Sequence, residues 1–550
     1  PLVEVPSGDK AVVLYRFDRI ENAFLSLKVS GGKGAVVKLE YAESMINNQD
    51  EKGRRDVFFG NRMLGVYDEF VLDGKNRSYT SLWFRTGYYI KCTIDNSGPE
   101  TMYLEDLSAQ SFAYPFEEKG SFTTPDTTLR TDAIWDVAWQ TARLCAQETY
   151  VDCPYYEQLQ YVGDTRIQAL ISLYVTGDDR LMRKAIRLFE QSRTSQGLTQ
   201  SRYPSLVPQV IPPYSLSWIE MVGDYWMHRP DTAFVREMLP GVRSVLEWYN
   251  NQLLDNGLVG PTQHWNFVDW TDQWVWDNEL RIGGVPDMAG GSSIISLQYL
   301  SALRRAEEMY GYFGDKHQAN IYKDRADRIA SAVSKHCWQE DRLLFSDTPA
   351  ATSFSQHANI LALLTDIAPA DPPDDLLIYQ HDVWASFREV LLQNILTDTS
   401  LIQVSEYFRF YLIQAMYQLG RGDLYPQQLN IWAAYLDQGF TTFPERPGKT
   451  RSDCHAWSAS PNYDLLATLA GIRPGSPGFQ TVDIRPASVD FPYTATAAHP
   501  AGTITVKCTP KHHDLHFKVT LPTGITGHFA LEGQTFSLEP GLNKLSIGLE

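Results

Sequence analysis

The stretch TLRTDAIWDVAWQTARLCAQ, residues 128–147, carries Ile134, Ala138, Ala142 and Cys145 at intervals of three and four. That spacing predicts a helix with one apolar face. It opens a run of roughly twelve helical stretches that extends to about residue 471. These read as 128–147, 163–176, 179–195, 214–228, 231–254, 292–313, 316–337, 353–365, 383–392, 401–419, 423–438 and 455–470. Asp178, Asp179 and Asp231 stand where helices start, and Gly420 and Gly439 stand just past helix ends. Twelve helices with no strand between them have pairwise logic. Six antiparallel pairs can close into an (α/α)6 barrel with its loops gathered at two rims. No fixed-period repeat is visible, which argues against a regular solenoid.

Outward from this run the period changes to two. On the N-terminal side, alternation in Ala11–Phe17, Gly34–Tyr41, Tyr67–Leu72, Tyr88–Ile94 and Leu107–Ser111 predicts short strands of a β-sandwich. After Pro474, Phe479–Ile484, Gly502–Cys508 and Leu515–Leu521 predict a second, smaller one. The expected architecture is multidomain. An N-terminal antiparallel β-sandwich (1–115) and a C-terminal antiparallel β-sandwich (475–550) flank a mainly α catalytic (α/α)6 barrel (116–474).

Composition narrows the function. A chain of 550 residues that is 43% hydrophobic can bury several cores. Its 14 Trp and 29 Tyr suit either a large interior or a sugar cleft, where pyranose C–H faces stack on rings. A net charge of −18 without a basic stripe speaks against nucleic acid as a partner. No apolar run is long enough to span a membrane. The six cysteines are scattered singly, with no zinc or redox pairing, and no metal or organic cofactor is expected. The start at Pro1 suggests a removed leader, and a periplasmic or secreted location is expected. No motif encodes an oligomeric state.

Three polar stretches are candidates for chemistry. The first is the loop Val151–Asp164 between two helices, with three carboxylates, three tyrosines and two glutamines. Pro154 disfavours continuing the first helix, and Gly163 marks the start of the next. A carboxyl packed among aromatics holds its proton more readily, which makes Glu157 a candidate acid. The plainer alternative is that Asp164 caps a helix and Glu157 is solvated. The second stretch joins the last two helices: Gly439–Pro447, then Ser452–Ser458. Barrel closure would set Glu445 opposite Glu157, with His455 nearby. Paired carboxyls across a cleft are what glycoside hydrolysis needs. Alternatively, Glu445 pairs with Arg446 on the surface. The third is His264–Asp277, with four Trp and three Asp, read as a stacking platform whose interleaved carboxylates accept hydroxyls, the plainer alternative being buried Trp with hydrogen-bonded N–H groups. Trp218 and Tyr214 are expected to extend that wall. His512, His513 and His516 read as a surface strand rather than a metal site, and Asn76-Arg77-Ser78 has the form of a glycosylation sequon.

At these residues the sequence resembles glycoside hydrolase family 78, the α-L-rhamnosidases, along essentially its whole length. Family members carry Asp-Cys-Pro, a general-acid Glu, an aromatic residue and Gly-Asp. Asp152-Cys153-Pro154, Glu157, Tyr161 and Gly163-Asp164 match in turn. Thr441-Thr442-Phe443-Pro444-Glu445 resembles the stretch that holds the general base. The resemblance implies an inverting hydrolase releasing terminal α-L-rhamnose from a glycan or glycoside. Glu157 would be the acid and Glu445 the base. Asp152, Tyr161, Asp164, Asp269, Trp270 and His455 would hold the sugar. Two departures bear on substrate. Arginines common beside the acid are replaced by Tyr155-Tyr156 and Gln158, and the segment from Glu445 to His455 is shorter than in many members. The alternatives are the same scaffold acting on another sugar, or a carbohydrate-binding protein that has lost catalysis.

Overall fold

The structure, a computed structural model, describes residues 3–274, 276–277, 282–369 and 383–548. The first two and last two residues of the expected outer domains, and Val275 of the Trp-rich stretch, lie outside the described residues. The chain forms two compact units. One comprises Pro1–Phe116, Ala133–Gln158 and Asn430–Ala459; the other comprises Glu117–Asp132, Leu159–Leu429 and Ser460–Glu550.

The helices are α1 (Thr131–Leu144), α2 (Val162–Val175), α3 (Arg180–Gln191), α4 (Pro212–His228), α5 (Thr232–Asn250), α6 (Ser293–Tyr312) and α7 (Lys316–Cys337). They continue with α8 (Gln356–Leu364), α9 (Val383–Thr397), α10 (Glu406–Gln418), α11 (Tyr425–Gln428), α12 (Asn430–Asp437) and α13 (Pro461–Asp464). A π-turn at Leu465–Leu469 prolongs α13. The expected eleventh helix is thus broken into two short ones, with Pro426 at the start of the first.

The first unit is built on β1 (Val3–Val5), β2 (Lys10–Gly31), β3 (Val36–Ala42), β4 (Val66–Val71), β5 (Gly74–Thr80), β6 (Arg85–Asp95) and β7 (Met102–Ser111). They hydrogen-bond as one sheet in the order β1-β7-β2-β6-β3-β4, with β5 also on β2. The 22-residue β2 shifts register between Arg16 and Glu21 and serves β5, β6 and β7 along its length. Alternation places Val37, Leu39 and Tyr41 of β3 with Cys92 and Ile94 of β6 in one core, beside Leu25, Leu27 and Val29. β5 (GKNRSYT) is polar and mostly exposed, so its sequence shows no strand pattern. The sequon Asn76-Arg77-Ser78 lies on it, exposed.

In the second unit the helices alternate in character. α2 is buried at every residue except Arg166, and α4 is nearly as enclosed, whereas α3 and α7 bury only one face. The enclosed helices pack on one another: α2 on α4, α4 on α6, α6 on α8, α8 on α10, and α13 on α2. Asp231 Oδ1 caps α5 by accepting from the Phe234 N–H at 3.1 Å, as its position predicts. The sheets of this unit use β8 (Ser121–Thr123), β9 (Trp338–Gln339), β10 (Leu344–Phe345), β11 (Ile472–Pro474), β12 (Thr481–Ile484), β13 (Tyr493–His499), β14 (Gly502–Lys511), β15 (Asp514–Leu521), β16 (Thr526–Leu531), β17 (Gln534–Leu538) and β18 (Gly541–Gly548). The last strands form two sheets, β11-β12-β16-β17 and β18-β15-β14-β13-β8. The expectation of wholly antiparallel pairing is corrected at β12–β16, which run parallel. His512 and His513 form the turn between β14 and β15, and only His516 is in a strand.

Among the described residues no helix is long and apolar enough to cross a membrane.

Candidate active site

Two loops, distant in sequence, meet in the first unit. The Ala456 N–H donates to the Asp152 carbonyl at 2.8 Å, and Cys145 Sγ lies 4.0 Å from Cys454 Sγ. Each loop is fixed from behind. In the first, Thr86 Oγ1 donates to the Pro154 carbonyl at 2.8 Å, and Tyr155 O–H donates to the Tyr41 carbonyl at 2.8 Å. Tyr155 is therefore spent on the sheet, while Tyr156 is 40% exposed. Gln158 turns the chain at φ 54° and accepts from the Trp83 N–H at 2.9 Å. In the second loop, Glu445 N–H donates to the Ser452 carbonyl at 3.1 Å, and Trp457 N–H donates to the Glu445 carbonyl at 2.7 Å.

These constraints bring Glu157 and Glu445 to one guanidinium. Arg451 Nη2 donates to Glu157 Oε1 at 2.5 Å, and Arg451 Nε lies 3.8 Å from Glu445 Oε2. One planar fork spans both, so the two oxygens lie within about 9 Å of each other. Glu445 is buried, and Glu157 and Arg451 keep 24% and 47% of their side-chain surface exposed. Burial alone would lower the Arg451 pKa, but the Coulombic pull of Glu445 and the hydrogen bond to Glu157 raise it. Arg451 lies in the short span from Glu445 to His455, and its place there was the one signal in the sequence that could have singled it out. It brings a guanidinium to Glu157 from the other loop, whereas Tyr156 and Gln158 flank Glu157 in sequence.

Around this pair, Asp152 and His455 are both buried, and His455 packs on Trp457 at 4.3 Å between centroids. Asp152, Cys153 and His455 place one donor atom each within 4.8 Å of one another. They could in principle hold a metal ion. However, burial and the Asp152 charge push the Cys153 thiol well above its ordinary pKa, and it donates to Asp152 Oδ2 at 3.1 Å. In this arrangement the Cys153 thiol is spent on Asp152, with His455 beside the pair.

A second cluster escaped the sequence reading. Glu43, at the end of β3, accepts from the Asp453 N–H at 2.9 Å, and its other oxygen has no partner. Lys52 Nζ bridges Glu43 at 3.7 Å and Asp453 at 3.1 Å, and Arg55 grips Asp453 with two bonds of 3.1 Å. Burial pushes Glu43 up to about 7, with Asp453 adding to the rise against the pull of Lys52. Glu43, Lys52, Tyr156 and Arg451 line one cleft.

The remaining candidates belong to the second unit. Tyr161 immediately precedes α2, and its hydroxyl accepts from Arg202 at 2.9 Å. Its ring begins a chain of edge contacts, Tyr161–Tyr214–Phe267–Trp270, with centroids 6.3, 5.8 and 5.0 Å apart. Trp276, 48% exposed, stacks on Trp270 at 6.3 Å. Asp164 sits buried in the first turn of α2, close enough to bear on the hydroxyls of Tyr214 and Tyr407.

Two expectations are corrected. Trp218 offers no face to a ligand: it is fully buried, and its N–H donates to the Ile186 carbonyl at 3.1 Å. Asp269 is fully buried and internally satisfied. It accepts from Trp270 N–H at 2.8 Å, His357 Nε2 at 2.8 Å, Ser405 N–H at 2.9 Å and the Ser405 hydroxyl. It ties the Trp-rich loop to α8 and α10 and presents no free oxygen to a sugar.

Comparisons with known proteins agree with this architecture. The chain is 24% identical to the family 78 rhamnosidase of Bacillus sp. GL1, with TM-score 0.81 over 96% of this chain and 54% of that one. A rhamnosidase from Klebsiella oxytoca with rhamnose bound is 19% identical, with TM-score 0.67 over 85% of this chain and 89% of that one. An α-L-rhamnosidase from Streptomyces avermitilis, complexed with L-rhamnose, is 18% identical, with TM-score 0.72 over 100% of this chain and 54% of that one. These likenesses carry the fold, and the chain spans about half the length of the Bacillus and Streptomyces proteins. No curated protein sequence matches. The pattern describing the bacterial α-L-rhamnosidase six-hairpin glycosidase domain matches residues 117–468, and the chain belongs to that family.

Proposed function

We propose that the protein is an inverting α-L-rhamnosidase, with Glu157 as general acid and Glu445 as general base. The observation that carries this reading is the shared guanidinium. Two carboxyls from opposite ends of the helical run meet at Arg451. A separation of about 6.5–9.5 Å leaves room for a water between base and sugar, and the span of Arg451 is compatible with it. Glu157 protonates the glycosidic oxygen as the bond breaks. Glu445 takes a proton from the water that attacks the opposite face of the ring. Asp152 and His455 are the sugar-binding candidates of the first unit, and Tyr161, Asp164 and Trp270 those of the second. The scheme routes no step through a metal or cofactor. The scaffold for this chemistry is an (α/α)6 barrel over residues 116–474, with 1–115 and 475–550 as flanking β-domains. The mutual packing of the enclosed helices and the six-hairpin family support that scaffold. A periplasmic or secreted location suits a glycan substrate, and cell fractionation tests it.

One observation favours a different reading. An acid must carry its proton, and the positive charge of Arg451 beside Glu157 favours the ionised carboxylate. A binding protein without turnover has no need to break that pair. A chromogenic α-L-rhamnoside separates the two. Wild type is expected to turn it over, and Glu157→Gln and Glu445→Gln each to lose on the order of 10³-fold in kcat. NMR of the first-formed sugar is expected to show the inverted anomer. Binding without turnover would establish the alternative, and turnover of a different glycoside alone would reassign the sugar.

A further inference from the structure

The second unit encloses a cavity of about 470 Å³, and none of the candidate catalytic or sugar-binding residues lines it. Sites for small molecules measure about 300–1,000 Å³. One wall neutralises itself. Arg166 Nε lies 2.8 Å from Asp224, and Arg305 Nε lies 3.5 Å from Glu220, which also accepts from Ser301 Oγ at 2.7 Å.

The other wall does not. Arg473 lies over the Tyr417 ring, 3.6 Å from its centroid, and Arg485 over the same ring at 4.7 Å. Arg473 donates to Gln414 Oε1 at 2.6 Å, the Ala467 carbonyl at 3.0 Å and Thr468 Oγ1 at 3.3 Å. Arg485 donates to the Tyr417 hydroxyl at 3.1 Å. All these acceptors are neutral. Among the described residues no carboxylate oxygen lies within 4.0 Å of either guanidinium. Asp483 borders the same cavity, in register with Arg473 across β11–β12, yet it forms no ion pair with either arginine. Asp464 is fully buried, with one oxygen bonded to Gln414 and the other without a partner, and burial pushes it up to about 8. Burial thus disfavours its charged form, although it still bears on Arg473.

Two adjacent guanidinium forks without a carboxylate in contact are open to an anion, and their geometry suits an oxyanion. We infer that this cavity is a second ligand site, for a small hydroxylated oxyanion whose carboxylate or phosphate lies on Arg473 and Arg485 and whose hydroxyls face Glu220, Asp224 and Gln298. Gln298 Oε1 has no partner and lines the space, which suits a hydroxyl donor.

Calorimetric titration of the whole chain tests this, with glucuronate, glucose 6-phosphate and neutral glucose as probes. Both anions are expected to bind saturably and to raise Tm, and glucose to do neither. Tighter binding of glucuronate assigns a carboxylate, and tighter binding of glucose 6-phosphate assigns a phosphate ester. Arg485→Met, at an exposed side chain, is expected to weaken the anions at least about tenfold, with circular dichroism confirming the fold. Glu157→Gln is expected to leave anion binding unchanged, so the result is independent of the catalytic reading. Failure of both anions to bind, binding of glucose as tight as that of the anions, or an unaffected Arg485→Met would overturn the proposal.

Discussion

Arg451 and Glu43 show how single side chains set the chemistry of the first unit. Arg451 pairs with Glu157, so its positive charge opposes proton uptake there. Replacing Arg451 with Met removes the charge that opposes proton uptake. The alkaline limb of the kcat/KM–pH profile is then expected to move to higher pH, read with the chromogenic substrate. An unmoved limb would mean that the pair opens before the step being measured. Glu43 has the opposite problem, a carboxyl raised to about 7 by burial. A raised acid contributes stability while it is protonated and loses that contribution as pH climbs through its folded pKa. Glu43→Gln lacks the ionisation. Its Tm relative to wild type is therefore expected to increase between about pH 5 and pH 8, measured by calorimetry at both. A constant difference would place the Glu43 titration elsewhere. Glu157, Glu445 and Asp152 were legible because their neighbours form a motif. Arg451 and Glu43 were not, because each acts on a residue hundreds of positions away.

Elements were legible where burial is one-sided. Apolar spacing located most of the helices, and Asp231, Gly420 and Gly439 stand at helix ends as their conformational preferences predict, both glycines at positive φ. β5 escaped because neither face is apolar. The junction of loop and α2 shows why one small residue is required. A methyl group on Gly163 would sit 2.8 Å from the Tyr214 ring and 2.8 Å from the Tyr407 hydroxyl. Gly163→Ala is expected to cost about 1–3 kcal/mol in urea unfolding, since those buried rings cannot yield without repacking. It is also expected to disturb sugar binding through Tyr214. Wild-type stability in this variant would show that the rings move aside freely.

For the molecule as a whole, all six cysteines are buried and unpaired by disulfides. A thiol reagent is expected to label none in the native chain and six after denaturation without reductant, counted by mass spectrometry. Fewer than six after denaturation would reveal a disulfide. The sequence by itself determined the succession of strands, helices and strands, because periodicity records which side of an element meets the core. It also singled out the two glutamates that approach Arg451 and the loop around Asp152, because residue type and close neighbours mark them. Tertiary structure alone decided that one 22-residue strand serves β5, β6 and β7, that Trp218 and Asp269 are consumed inside the fold, and that a single arginine joins the two carboxyls. Those outcomes depend on which surfaces meet after the chain has folded back over hundreds of residues, and local patterns hold no record of that.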